Sequence, residues 1–369
     1  MRLKAYCAAS ALLFALPLMT GCGSSGSSTT TTTTPTIYMA GNEQPSSNVN
    51  TADYWTITPT GSTATSLSTV SNGYVNPTIA SIAVSGSNVY AVGYEKAPTA
   101  STYEGVLWTN GTGSVLTAPS GEITYLPKSI AVSGSDVYVV GWASAGGAQE
   151  SVLWKNGTLS VLTGPSGTGA VIANSVAVSG SNVYVAGFAN LSGVSNNEGV
   201  LWTNSTASTL PNLSGDTTSM VYSVAVSGSN VYVVGDSWVI NGSSQDAVLW
   251  TNGTPSVLTA PSGGNYNYAM SVAVSGSNVY VAGYSLNATT GNVVAVLWTN
   301  GTPTVLPAST VEGSQANAVA VNGSDVYVAG YEWDATKSQQ VACYWKNGAT
   351  AVEVSDGTEK AAASAIVVQ

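Results

Sequence analysis

The sequence predicts an all-β fold built from repeated four-stranded sheets, and three observations predict it. Apolar residues make up 44% of the 369 residues while charged residues make up only 7%, and Val, Thr, Tyr and Trp prevail over Glu, Lys and Leu, a bias toward strands. A pattern of the form SVAVSGSNVYVAG recurs from Ser81, Ser129, Ser175, Ser223, Ser271 and Ala318, at intervals of 48, 46, 48, 48 and 47 residues. The two strands of that pattern are apolar at successive positions, so both faces of each sheet need cover and the sheets must stack.

The N-terminus is set aside first. MRLKAYCAASALLFALPLMTGC has two cations, Arg2 and Lys4, then an apolar stretch from Ala8 to Leu18 that is too short to span a bilayer, then Cys22. It reads as a secretory signal over residues 1–21. LMTGC resembles a bacterial lipobox, with Met19 where that motif usually has Leu, and the resemblance implies lipidation of Cys22. Residues 22–35 then form a lipidated Cys and a Ser/Thr-rich tether with nothing apolar to bury. Residues 36–369 are the folded body.

From Cys22 onward the chain holds six cations against eighteen acids, a net charge of −12. Nucleic acid is thereby excluded as an expected partner, since phosphate binding needs clustered Lys and Arg. An anionic membrane would also repel the chain, so membrane contact is expected only through the lipid. With no histidine in the sequence, the usual zinc sites and Ser-His or Cys-His nucleophiles are excluded. Cys343 has no partner once Cys22 is acylated and reads as a buried core thiol.

Each repeat divides into strands A to D. Ser271–Ser275 is strand A, GSN a tight turn, Val279–Tyr284 strand B, Ala295–Thr299 strand C, Asn300-Gly301 a hairpin turn and Thr304–Leu306 strand D. Repeated four-stranded antiparallel sheets covered on both faces are the blades of a β-propeller. A β-solenoid is the main competitor, but its coils are usually shorter and it needs caps.

The blade count comes from strands B and C. The VYxxG motif or a variant contains Tyr38, Tyr90, Tyr138, Tyr184, Tyr232, Tyr280 and Tyr327, and strand C carries Trp55, Trp108, Trp154, Trp202, Trp250, Trp298 and Trp345. Both give seven, yet TIYMAG (Thr36 to Gly41) has no strand A before it. Ser364 to Gln369 matches SVAVSG in pattern and begins 46 residues after Ala318. The chain is therefore expected to close a seven-bladed ring with its last strand, removing two exposed edges.

The unit VAVSGSNVYVVG...AVLWTNGTPSVL resembles bacterial extracellular repeats of the HAF type over about 330 residues. The resemblance implies a secreted propeller and carries no catalytic residue across. VSDGTE (Val354 to Glu359) is similar to an Asp-box but lacks its aromatic residue and reads as a turn.

The A–B and C–D turns share one face of a propeller, and here they are monotonous. The B–C and D–A connections share the other face and vary, so ligand binding is expected there. The residue after the strand B glycine is aromatic in five blades, Tyr94, Trp142, Phe188, Tyr284 and Tyr331, with Asn42 and Asp236 in the others. These are either stacking platforms or wedges between blades. Four residues before the strand C tryptophan stand Glu104, Glu150, Glu198 and Asp246 in consecutive blades, either an acidic arc for a basic partner or solvated rim charges. Glu95, Glu332, Asp236 and Asp334 lie in the same loops, without the spacing of a dedicated calcium loop. The Asn-Gly and Asn-Ser sequons at Asn110, Asn156, Asn204, Asn252 and Asn300 read as hairpin turns.

The expectation is a non-catalytic binding or scaffolding lipoprotein of the bacterial cell envelope, on the outer membrane or the outer face of the plasma membrane. It is expected to be a monomer, to bind a protein or glycan, and to have no catalytic residue, metal or cofactor. The alternatives are a carboxylate-based lyase or glycosidase and a structural surface-layer component.

Overall fold

The structure, a computed structural model, describes residues 7–8, 35–44, 50–70, 75–97, 102–118, 124–145, 148–191, 196–240, 242, 244–262, 264–286, 291–308 and 313–369. Residues 1–6 and 9–34, which hold most of the expected signal and the expected tether with Cys22, lie outside the described residues. Cys7–Ala8 forms a two-residue strand beside Val226 and Ser227. The rest is seven antiparallel sheets whose strands run A-B-C-D.

In chain order, blade 2 comprises Val75–Ser85, Asn88–Lys96, Tyr103–Thr109 and Thr112–Val115. Blade 3 comprises Thr124–Ser133, Asp136–Ala145, Ala148–Lys155 and Thr158–Leu162. Blade 4 comprises Thr168–Ser179, Asn182–Leu191, Asn197–Thr203 and Thr206–Leu210, and blade 5 Thr218–Ser227, Asn230–Trp238, Asp246–Thr251 and Thr254–Val257. Blade 6 comprises Tyr266–Ser275, Asn278–Leu286, Val293–Thr299 and Thr302–Val305, and blade 7 Ser314–Asn322, Asp325–Asp334, Gln339–Lys346 and Val352–Glu353.

Blade 1 joins the two ends of the chain. Its strand A is Lys360–Val368, followed by Ile37–Gln44, Thr51–Thr58 and Gly61–Ser66. Ile37 pairs with Val368, and Thr36 and Gln369 exchange backbone hydrogen bonds of 2.8 and 2.9 Å. The register is one residue later than the sequence pattern suggests. Ala365 faces Ala40 as Ser81 faces Val92, so Ala365, not Ser364, is the repeat's first position. Ile366, Val367 and Val368 are then all buried, and the pairing of Ala40 with Ala365 and Gly41 with Ala363, around the bulge, sets the register.

Successive strands A touch one another around the whole circle, including blades 7 and 1, so strand A is innermost. Strand A of every blade carries one extra residue, a bulge opposite the strand B glycine; Gly93 pairs with Ile79 and Val92 with Ser81, leaving Ala80 unpaired. The bulge brings a strand A carbonyl against that glycine. A Cβ on Gly93 or Gly235 would overlap the carbonyl oxygen of Thr78 or Met220, which is why VYxxG keeps its glycine.

Blades are fastened to one another by two repeated hydrogen bonds. The strand C tryptophans are fully or almost fully buried, and in blades 2 to 7 the indole N–H donates at 2.7–2.9 Å to a carbonyl just after strand D of the preceding blade. The residue before that carbonyl is a buried leucine, Leu67, Leu116, Leu162, Leu210, Leu258 or Leu306. On the inner circle, the hydroxyls of Ser81, Ser129, Ser175, Ser223 and Ser271 accept a backbone N–H from strand A of the next blade at 3.1–3.4 Å. A buried polar group thus finds its partner across each of these interfaces.

Candidate binding face

On the face of A–B and C–D turns, one asparagine per blade does the same task six times. Asn110, Asn156, Asn204, Asn252, Asn300 and Asn347 have φ between 49 and 53°, the left-handed region that asparagine tolerates. Each Oδ1 accepts the N–H of the second residue of strand B at 2.7–2.9 Å. Each Nδ2 donates at 2.7–3.0 Å to Asn or Asp in the A–B turn. Where that turn residue is Asp136 or Asp325, Lys155 or Lys346 pairs with it at 2.8 Å. These asparagine side chains are already committed to the turns.

The opposite face begins from strand B's last residues. Tyr94, Trp142, Phe188, Asp236, Tyr284, Tyr331 and Asn42 pair with strand A residues Thr78, Leu126, Ile172, Met220, Tyr268, Gln315 and Ala362. The row lies along the interface with the next blade. Asn42 exchanges two hydrogen bonds with the backbone of Ile79, at 2.9 and 3.2 Å, and Gly105, opposite Tyr94, has no room for a Cβ against Tyr125 and Pro127. Its five aromatic residues are each half-buried.

The row is unlike on its two sides. Trp142 and Phe188 stand across from Leu126 and Ile172, an apolar arc. In blades 6 and 7, Tyr284 stacks on Tyr268 at 4.5 Å and the Tyr331 hydroxyl donates to Gln315 at 2.9 Å. Tyr94 instead meets Tyr103 edge-on at 5.4 Å.

The acidic positions Glu104, Glu150, Glu198 and Asp246 lie at the start of strand C. Glu104 pairs with Glu95, and Tyr94 with Gly105, so alternation sends the acid and the aromatic of one blade to opposite sides of its sheet. Glu150 is exposed and the other three are half-buried. Burial raises the carboxyl pKa of Glu198, and burial together with nearby Asp216 raises that of Asp246. Glu150 and Gln149 also line a cleft of about 470 Å³ between blades 3 and 4, with Val161, Leu162, Pro165 and Val171.

Several carboxyl groups have environments that sequence reasoning did not distinguish. Asp236 is fully buried; Gln245 donates to its Oδ2, Tyr222, Tyr268 and Tyr284 stand close, and burial pushes its pKa up to about 7. The available signal was an acid in a row otherwise mostly aromatic. Glu43 is also raised to about 7, by burial and then by Asp53, Asp356 and Glu359. Glu95 and Glu332 are fully buried; Glu95 accepts the Val70 N–H, and burial raises its pKa. Asp334 accepts bonds from Thr336 and Lys337 and is held down to about 2. Asp356 accepts two bonds from Thr358, the turn expected of VSDGTE. Cys343 is fully buried, which pushes its thiol pKa up. No group of three or more metal-ligating side chains occurs among the described residues.

No protein-family model matches the chain, and no curated protein matches it. Solved structures similar to it include an acylaminoacyl peptidase from Pyrococcus horikoshii, with 9% identity and a TM-score of 0.46 over 76% of this chain and 46% of that one. Another is a Trypanosoma rangeli sialidase in complex with sialic acid, with 9% identity and a TM-score of 0.45 over 85% of this chain and 56% of that one. The chain spans about half the length of these two proteins.

Proposed function

We propose that the protein is a non-catalytic display module: a HAF-like propeller lipoprotein, tethered through Cys22 to the bacterial envelope, that offers its B–C and D–A face to a protein or glycan. The observation that carries this reading is the division of labour between faces. Asparagines fasten one face identically in six blades, whereas the other changes residue by residue and holds half-buried aromatics. Half-buried aromatic rings keep a flat apolar surface available for stacking while their edges stay anchored. Trp142 and Phe188 are the platforms on this reading, Tyr94, Tyr284 and Tyr331 extend them, and Glu104, Glu150, Glu198 and Asp246 select basic or hydroxylated partners.

The test is capture from envelope proteins and a glycan panel by the purified protein, with Trp142→Ala and Glu150→Ala compared. Both variants are expected to stay folded and to lose captured ligand at least tenfold. Capture indifferent to both changes would overturn the choice of face.

A further inference from the structure

We propose that the outer edge of blade 3, together with the cleft beside it, takes up an extended basic polypeptide segment as an added strand. This deepens the display reading by naming a protein as the partner, and it rests on that reading for the choice of face.

Strand D of blade 3, Thr158–Leu162, is the outermost strand of its sheet. It pairs on one side only, with Thr158 facing Lys155 and Leu162 facing Ser151. In blade 2 the counterpart of Leu162 is Leu116, which donates its N–H to Gly105 of strand C at 2.9 Å. Alternation therefore turns the N–H and C=O of Leu159 and Val161 outward, the row that an incoming strand needs.

The other blades weaken this row. Pro255 and Pro303 fill the place of Leu159 in blades 5 and 6, each opposite the strand C tryptophan, and proline has no N–H to offer. Blades 1, 2 and 4 have Ala64, Gly113 and Ala207 there, and strand D of blade 7 is only Val352–Glu353. Blade 3 places two branched apolar residues along the open row, and Val161 is 45% exposed.

The cleft of about 470 Å³ lies where this edge meets blade 4. Its wall is already fixed. Leu162 is buried, the Thr163 carbonyl accepts the Trp202 indole N–H at 2.7 Å, and the Pro165 carbonyl accepts the N–H and hydroxyl of Thr168 at 3.3 and 2.8 Å. Across the cleft, strand A of blade 4 carries a second bulge. Thr168 pairs with Leu191 and Val171 with Ala189, so Gly169 and Ala170 together face Asn190, and their backbone is left outside the ladder. An apolar side chain of the added strand has Leu162, Pro165 and Val171 to pack against.

Charge selects the neighbouring side chain. Glu150 is the one charged residue of the lining, is exposed, and forms no ion pair among the described residues. The whole chain carries 18 acids against 8 cations, so a Lys or Arg is attracted and an acidic strand repelled. A row of backbone donors and acceptors at strand spacing suits a polypeptide rather than a sugar.

The experiment is isothermal titration of the purified protein with acetyl-VKVKVKV-amide, with acetyl-VEVEVEV-amide, and with the first peptide N-methylated throughout. The basic peptide is expected to bind, the acidic one at least tenfold more weakly, and the methylated one not at all. Leu159→Pro copies what blades 5 and 6 already carry; it is expected to melt within about 5 °C of wild type and to bind at least tenfold more weakly. Glu150→Gln should lose at least threefold. The methylated peptide and Glu150→Gln test the row and the charge without touching the fold. No binding of the basic peptide, equal binding of the acidic or methylated one, full affinity in Leu159→Pro, or displacement by cellohexaose would each overturn the inference. Envelope capture that depends on Trp142 while the basic peptide fails would sink the edge site and leave the display reading standing. Peptide binding that is lost in Leu159→Pro, while envelope capture ignores Trp142 and Glu150, would do the reverse.

Discussion

The two faces of the disc solve opposite problems with the same strands. On one, Asn110, Asn156, Asn204, Asn252, Asn300 and Asn347 repeat a single geometry, with side-chain oxygens 2.7–2.9 Å from the strand B backbone. On the other, equivalent positions hold Trp142, Asp236 or Asn42, and the surroundings range from the Leu126 and Ile172 arc to the tyrosines near Asp236. Repetition marks where local hydrogen bonding fixes the residue; variety marks where the blade interface only has to be filled. Stability should therefore be concentrated on one side and recognition on the other.

That contrast can be broken or sharpened by substitution. The largest effect is expected from a chain ending at Glu359, which removes strand A of blade 1 and leaves the long edge of Ile37–Gln44 unpaired; it should lose cooperative unfolding and aggregate, as followed by circular dichroism and light scattering. Gly235→Ala should follow, because the new methyl overlaps the Met220 carbonyl; a loss of about 3 kcal/mol or more in urea unfolding is expected. Trp202→Phe deletes the indole bond to Thr163 and leaves a gap at a fully buried site, at a cost of about 2–4 kcal/mol. Asn252→Ala, on the repeated face, removes the bonds to Val231 and Asn230 and should cost about 1–3 kcal/mol. Glu150→Ala, exposed on the variable face, should stay within about 0.5 kcal/mol of wild type. A variable-face change as costly as Asn252→Ala would erase the distinction.

Asp236 tests the same contrast through pH. Its folded pKa, about 7, lies above the ordinary 3.8. The stability tied to its protonated form is therefore full below about pH 4 and is lost as pH rises through about 7. Asp236→Asn should match wild type near pH 4 and exceed it by on the order of 2–4 kcal/mol at pH 8, read from melting curves across that range. Parallel melting curves would show that the carboxyl is not desolvated.

Much of the fold was legible because each blade repeats its packing demands in sequence. Seven tyrosines and seven tryptophans counted the blades, and the apolar end of the chain announced the closing strand. Its register was not, since Ala363, Ser364 and Ala365 are nearly interchangeable as letters and only pairing with Ala40 and Gly41 orders them. The glycine of VYxxG was visible as a motif, but its cause, a carbonyl pushed forward by a bulge, needs two strands at once. The site was less legible for a related reason. Glu104 and Tyr94 lie close in the chain, yet alternation parts them, while Asp236 meets Tyr268 and Tyr284 from another blade. Burial of a carboxyl is decided across a blade interface, and a one-dimensional repeat does not encode which neighbour will be there.

The inner circle of serine hydroxyls lapses at two neighbouring positions, Ala318 of blade 7 and Ala365 of blade 1, on either side of the joint made by the terminal strand. Ala318 stands where Ser271 and its counterparts stand in blades 2 to 6, so blade 7 lends no hydroxyl to the terminal strand; Asn317 reaches Ala363 instead. A washer whose softer joints lie side by side breathes there. Deuterium should enter the amides of Ala363 to Val367 before those of Val272 to Ser275, and filling the first lapse with Ala318→Ser should slow it, giving a handle on how readily the disc springs open.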